Sequence, residues 1–208
     1  MQQDIIFGIV MSTNITEEDF DAMKQYVTSF IHHTNMDTGG SKVGLFVCDS
    51  SIQDSSLINL GDTSSKQELI SRVNAIPYKP SSESASLYSA LHGFHAMFKT
   101  FSDRTNGTRS HIPDLALLFM TPDINMYIAK KEAQVLREED IYLLITAVGF
   151  EEDDDEMLHE LAFRPDNYVF KMDNFYTMLF ESLFVFQEDE CGKLMLLWTS
   201  GCRSIKVS

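Results

Sequence analysis

Apolar positions along this chain follow two rhythms. Continuous runs at Asp4–Val10, Val43–Cys48, Leu115–Met120, Ile141–Val148 and Tyr168–Phe170 suit strands buried on both faces of a parallel sheet. Between them the spacing turns helical. Phe20, Met23, Val27, Phe30 and Ile31 follow Thr16, with Glu17, Glu18 and Asp19 in the first turn, where the helix dipole favours acids. Ser65-Lys66-Gln67-Glu68 reads as a capping box ahead of Leu69, Ile70, Val73 and Ile76. Leu87, Leu91, Phe94, Phe98 and Phe101 make a long stripe. Asn125–Glu138, a short segment at Met157, Leu158 and Leu161, and a last stripe at Phe175, Leu179, Leu183 and Phe186 complete the helices. Leu57–Leu60 predicts a short strand at an edge.

Strands that alternate with helices predict a three-layer α/β/α fold. Its doubly wound, mostly parallel sheet has six strands, one of them a short antiparallel edge. Ligands of such sheets bind beyond the carboxyl ends of the strands. That directs attention to the loops Met11–Thr16, Pro80–Ser86 and Thr121–Asn125.

Composition narrows the partners. The chain has 208 residues, 31 acids and 16 bases, a formal net charge of −15. Nucleic acid and membrane insertion are therefore not expected: phosphate binding needs clustered Lys and Arg, and no run reaches the ~18–20 apolar residues of a span. Met1-Gln2-Gln3 lacks the basic region of a secretory signal, so an intracellular chain or a mature fragment is expected. Cys48 sits in an apolar run and predicts a buried thiol, whereas Cys191 and Cys202 either bridge in an oxidising compartment or stay reduced.

Enzyme signatures are missing. Gly8 stands alone after the first run, so there is no dinucleotide fingerprint, no phosphate-binding loop and no nucleophile elbow. His92 and His95 lie three apart on the long helical stripe. Without a Cys or an evident acidic partner they predict a surface or packing role rather than a metal site.

The order of these segments resembles the von Willebrand factor type A domain. Asp4-Ile5-Ile6-Phe7-Gly8-Ile9-Val10-Met11-Ser12-Thr13-Asn14-Ile15 is similar to that family's D-I-V-F-L-x-D-x-S-x-S-I. Val43–Ser51, Ile76-Pro77-Tyr78 followed by Ser89-Ala90-Leu91, and Leu117–Thr121 resemble its later strands and loops. Leu161-Ala162, Pro165–Phe170 and Asp173-Asn174-Phe175 resemble its last motif. The likeness spans about residues 4–188, which implies a domain at 1–188 and a tail at 189–208 holding a small disulfide loop or the start of another module.

That resemblance implies a metal-ion-dependent adhesion site, where a hard cation sits on oxygen ligands and takes a carboxylate from the partner. Carried over position by position, the first aspartate falls on Val10, the first serine on Ser12 and the second on Asn14. The threonine falls on Ala85, beside Ser84 and Ser86, and the third-loop aspartate on Pro122, beside Asp123. The expectation is no cofactor: an absent site is favoured over one for Mg or Ca shifted onto Ser12, Asn14, Ser84 and Asp123.

Two glycosylation sequons, at Asn14 and Asn106, join the Cys191–Cys202 pair and the resemblance in favouring a secreted, extracellular protein. Residues 138–160 carry ten acids and no Lys or Arg, read as a solvated face rather than a calcium loop. The expected function is non-catalytic: adhesion or extracellular-matrix interaction with a protein ligand, independent of a divalent cation. A cation-dependent receptor domain and an intracellular scaffold domain are the alternatives.

Overall fold

The computed structural model describes residues 2–36, 39–63, 65–79, 84–105, 109, 111–122, 124–125, 128–148, 150, 158, 160–162, 169–172, 184–188 and 194–198. Its main sheet has five strands: β1 (Asp4–Val10), β2 (Lys42–Cys48), β4 (Asp114–Met120), β6 (Ile141–Val148) and β7 (Val169–Met172). They lie in the order β2-β1-β4-β6-β7, and every pairing is parallel. The apolar runs predicted this, since a strand covered on both faces has no polar side.

Helices α1 (Glu17–His33) and α2 (Lys66–Asn74) pack together, as do α3 (Leu87–Arg104) and α4 (Ala129–Glu138). Side chains of β1 alternate between the two layers. Phe7 meets Tyr26 and Phe30 of α1, while Gly8 lies under Phe94 of α3. A Cβ on Gly8 would fall 2.6 Å from the Phe94 ring, so the helix can sit this close only over glycine. No helix among the described residues is long and apolar enough to cross a membrane.

Thr16 caps α1 with a full capping box: its hydroxyl accepts from the Asp19 amide, and the Asp19 carboxylate accepts from the Thr16 amide. The second box is half formed. Ser65 accepts from the Glu68 amide, but the Glu68 carboxylate takes the Thr63 hydroxyl at 2.8 Å instead of closing the box. The sixth strand is not confirmed. Ile58 exchanges two backbone hydrogen bonds with Leu45 in antiparallel sense, and the ladder goes no further. A 3-10 turn at Asp54–Ser56 precedes it, and the Asp62 carboxylate closes a turn on the Asn59 amide after it. Helix α4 begins at Ala129 rather than Asn125, because β5 (Ile124–Asn125) pairs with β3 (Ala85–Ser86) and Ile128 turns with φ 67°.

The expected last helix is overturned where it reaches Phe186. Phe184–Glu188 is a strand, β8, pairing antiparallel with β9 (Leu194–Trp198). In the register of that ladder Val185 is opposite Leu197 and Phe186 opposite Leu196. Glu188, the last residue of the expected domain, ends β8, and residue 189 lies outside the described residues. Tyr168, Met157, Phe175, Leu179 and Leu183 lie outside the described residues.

Candidate functional site

The strand order reverses between β1 and β4, since β2 lies on one side of β1 and β4, β6 and β7 on the other. A doubly wound sheet opens its binding crevice at the carboxyl side of such a reversal. Here that point is closed by two hydroxyls. Ser12, just past β1, and Thr121, just past β4, are both buried, with Ser12 Oγ 2.6 Å from Thr121 Oγ1. Met11 donates its amide to the Cys48 carbonyl at 2.7 Å, and the Asn14 amide points at Ser12 Oγ from 3.4 Å. The next loop is tied in by β3 pairing with β5 and by the Ser86 amide donating to the Asp49 carbonyl at 2.8 Å. Ser86 also caps α3.

The expected residues thus divide. Ser12 is fully buried, Asn14 and Ser84 are exposed, and Asp123 lies outside the described residues. Val10 is buried where the family's first aspartate would stand, Ala85 is buried at the threonine position, and Pro122 is exposed. Asp49, the acid nearest these loops on β2's end, spends its carboxylate on its own turn. It accepts from the Ser51 amide at 3.1 Å and from Ser50 and Gln53 at 3.4 Å. A hard cation is held by several oxygens, carboxylates among them. Among the described residues the side-chain oxygens at this edge are the Ser12 and Thr121 hydroxyls, paired with each other, and the Asp49 carboxylate, engaged in its own turn. Thr121, the first residue of the loop expected at 121–125 but not among the expected site residues, is the partner of the Ser12 hydroxyl.

A second polar cluster lies on the outer side of α3. His92 Nδ1 sits 2.9 Å from Glu132 Oε1, and His95 Nδ1 sits 3.8 Å from the same oxygen. His95 Nε2 is buried, makes no hydrogen bond, and lies 3.1 Å from Glu139 Oε1. The expectation that these histidines lack an acidic partner is therefore overturned. The partner comes from α4, 40 residues along the chain from His92. A signal for it existed. Ala129, Glu132, Ala133 and Leu136 are the buried positions of α4, so a glutamate occupies its apolar stripe and faces the neighbouring helix.

Elsewhere the polar groups are structural. Cys48 is a buried free thiol, and burial with Asp49 beside it pushes its pKa far up, which removes it as a nucleophile. Asp4, at the amino ends of the strands, receives two hydrogen bonds from Arg109, at 2.9 and 2.6 Å. Its register neighbour Asp114 is pushed up to about 7 by desolvation and by the Asp4 charge, with Arg109 pulling the other way. Glu160 pairs with Lys130, and Arg137 donates to the Glu160 and Ala162 carbonyls, so cations of α4 dock this part of the acid-rich segment. The run Glu151–Glu156, the Asn106 sequon and Cys191 and Cys202 lie outside the described residues; Asn14 is exposed.

Sheet order, helical layers and a loop cluster at the reversal point define a doubly wound α/β domain. The model of the von Willebrand factor type A domain matches residues 4–184, and the chain belongs to that family. No curated protein sequence matches it. Among solved structures it is similar to proximal thread matrix protein 1 from the mussel byssus, with TM-score 0.72 and 20% identity over 86% of this chain and 46% of that one. The same protein with a zinc-occupied MIDAS motif aligns at 0.72 and 19% identity, with the same coverage. BatB from Bacteroides thetaiotaomicron aligns at 0.56 and 12%, over 83% of this chain and 91% of that one. The chain spans about half the length of the byssus protein. At these identities the likeness concerns the fold.

Proposed function

We propose that this is a non-catalytic domain for adhesion or matrix interaction, acting outside the cell and binding its protein ligand without a divalent ion at the carboxyl edge of the sheet. One observation carries the cation-independent part: the Ser12–Thr121 hydrogen bond at 2.6 Å, next to a buried Val10 in place of the first carboxylate. Without that carboxylate little formal charge offsets the dehydration of Mg2+ or Ca2+. Family membership and the fold shared with a byssus matrix protein support the adhesive role. The exposed Asn14 sequon agrees with an extracellular setting.

Calorimetry with Mg2+, Mn2+ and Ca2+ tests the ion statement. The expected result is no stoichiometric uptake at these loops; one equivalent bound and lost in Asp123→Ala overturns it. Binding of the labelled chain to immobilised purified matrix proteins, in buffer free of Mg2+ and Ca2+, tests the adhesive role. Saturable binding is expected, and a chain that binds none of them contradicts it.

A further inference from the structure

We propose that His92, His95 and Glu132 form a zinc-type transition-metal site joining α3 to α4, separate from the carboxyl-edge loops. One ligand atom from each of the three lies within 4.8 Å of the others. A tetrahedral ion with bonds of about 2.0–2.1 Å spaces its ligand atoms roughly 3.3 Å apart. The two separations from Glu132 Oε1, 2.9 and 3.8 Å, straddle that edge. Bringing all three atoms onto that spacing takes side-chain rotation, because the separations among them run up to 4.8 Å. Two imidazoles with one carboxylate select a borderline ion such as Zn2+ over Mg2+ or Ca2+, which prefer oxygen.

Three features beyond proximity point the same way. First, Glu132 is a carboxylate only 11% exposed in its side chain, and its ion-pair partners among the described residues are these two histidines. A buried carboxylate needs a compensating positive charge, which a divalent ion supplies. Second, both histidines present Nδ1 to the same oxygen. The far nitrogen of His95, which makes no hydrogen bond, lies 3.1 Å from Glu139 Oε1, within reach of the outer-carboxylate contact that orients many metal-bound imidazoles. Third, Tyr88 stacks on His92 with ring centroids 5.7 Å apart and planes 12° apart, which fixes the more exposed ring. Because the His92 side chain is 56% exposed, the fourth position of a bound ion opens to water.

The test uses the full, untagged chain stripped of metal and titrated with Zn2+ against a chromophoric chelator. One Zn2+ per chain is expected. His95→Ala and Glu132→Gln should weaken it at least about a hundredfold and Glu139→Gln about tenfold, in line with outer-ligand losses. Ser12→Ala should leave it unchanged. Co2+ in place of Zn2+ should give visible d–d bands with no thiolate charge-transfer band. Near-UV circular dichroism checks that each variant is folded, and the exposed His92→Ala serves if Glu132→Gln is not. No uptake, uptake indifferent to His92 and His95, or uptake lost in Ser12→Ala overturns the assignment. The adhesive reading stands or falls separately, on matrix binding by His95→Ala.

Discussion

Two regions of this domain carry polar side chains into partly buried ground, and they solve the problem in opposite ways. At the carboxyl ends of β1 and β4, Ser12 and Thr121 pair hydroxyl to hydroxyl and leave no charge to neutralise. Across α3 and α4, Glu132 is buried as an acid against two histidines. A neutral pair is complete in itself, whereas a buried carboxylate asks for a cation. Among the described residues the carboxyl-edge hydroxyls satisfy each other, and the buried acid lies on a helical flank.

Restoring charge to the carboxyl edge should give the largest effect. Val10→Asp puts an unpaired carboxylate in a fully buried strand position, and a loss of about 3–5 kcal/mol is expected by urea denaturation. Recovery of that loss by Mg2+ would break the contrast, because it would show that the loops still hold an ion's geometry. At the flank, Zn2+ at a hundred times its dissociation constant should add about 2.7 kcal/mol. For a domain of this size that raises Tm by about 5–10 °C, an increase absent in Glu132→Gln. Smaller again, Ser12→Ala strands the Thr121 hydroxyl and should cost about 1–2 kcal/mol, while Ser12→Ala with Thr121→Val together should cost less than the single change.

The smallest expected effect comes from the opposite, amino-terminal edge of the sheet. Asp114 has its pKa raised from an ordinary 3.8 to about 7, so the folded chain holds that proton more tightly than the unfolded one. Its contribution to stability is complete below pH 3.8 and is lost as pH rises through 7. Asp114→Asn should therefore stabilise the domain above pH 7 by about 1 kcal/mol, allowing for partial solvent screening, and flatten the slope between pH 4 and 7. A slope unchanged in Asp114→Asn would assign it to other groups.

Most of the main sheet was legible because a strand buried on both faces writes itself as an unbroken apolar run, as at Ile5–Val10 and Leu115–Met120. The cap of α1 was legible for the same local reason: Thr16 and Asp19 are three residues apart. What escaped depended on partners far along the chain. Leu57–Leu60 has strand composition, but the turns on either side leave it one bridge to Leu45. Phe186 has helical spacing from Leu183, yet its backbone pairs with Leu196. In the site, Val10 and Pro122 could be read as missing carboxylates directly from the resemblance. Glu132 could not be matched to His92 until the crossing of α3 and α4 was known.

The Asp4–Arg109 contact joins residues 105 apart in sequence, and β1 lies between two strands that both arrive later in the chain. Ribosomes add roughly 5–20 residues per second, so the first apolar strand waits roughly 5–20 seconds after its synthesis for its second neighbour. During that interval Ile5, Phe7 and Ile9 have no finished sheet to enter, and chaperone supply during translation becomes a determinant of yield. Expression at lower temperature, or a slowed stretch of codons placed after β4 instead of before it, bears on how much of this protein a cell delivers folded.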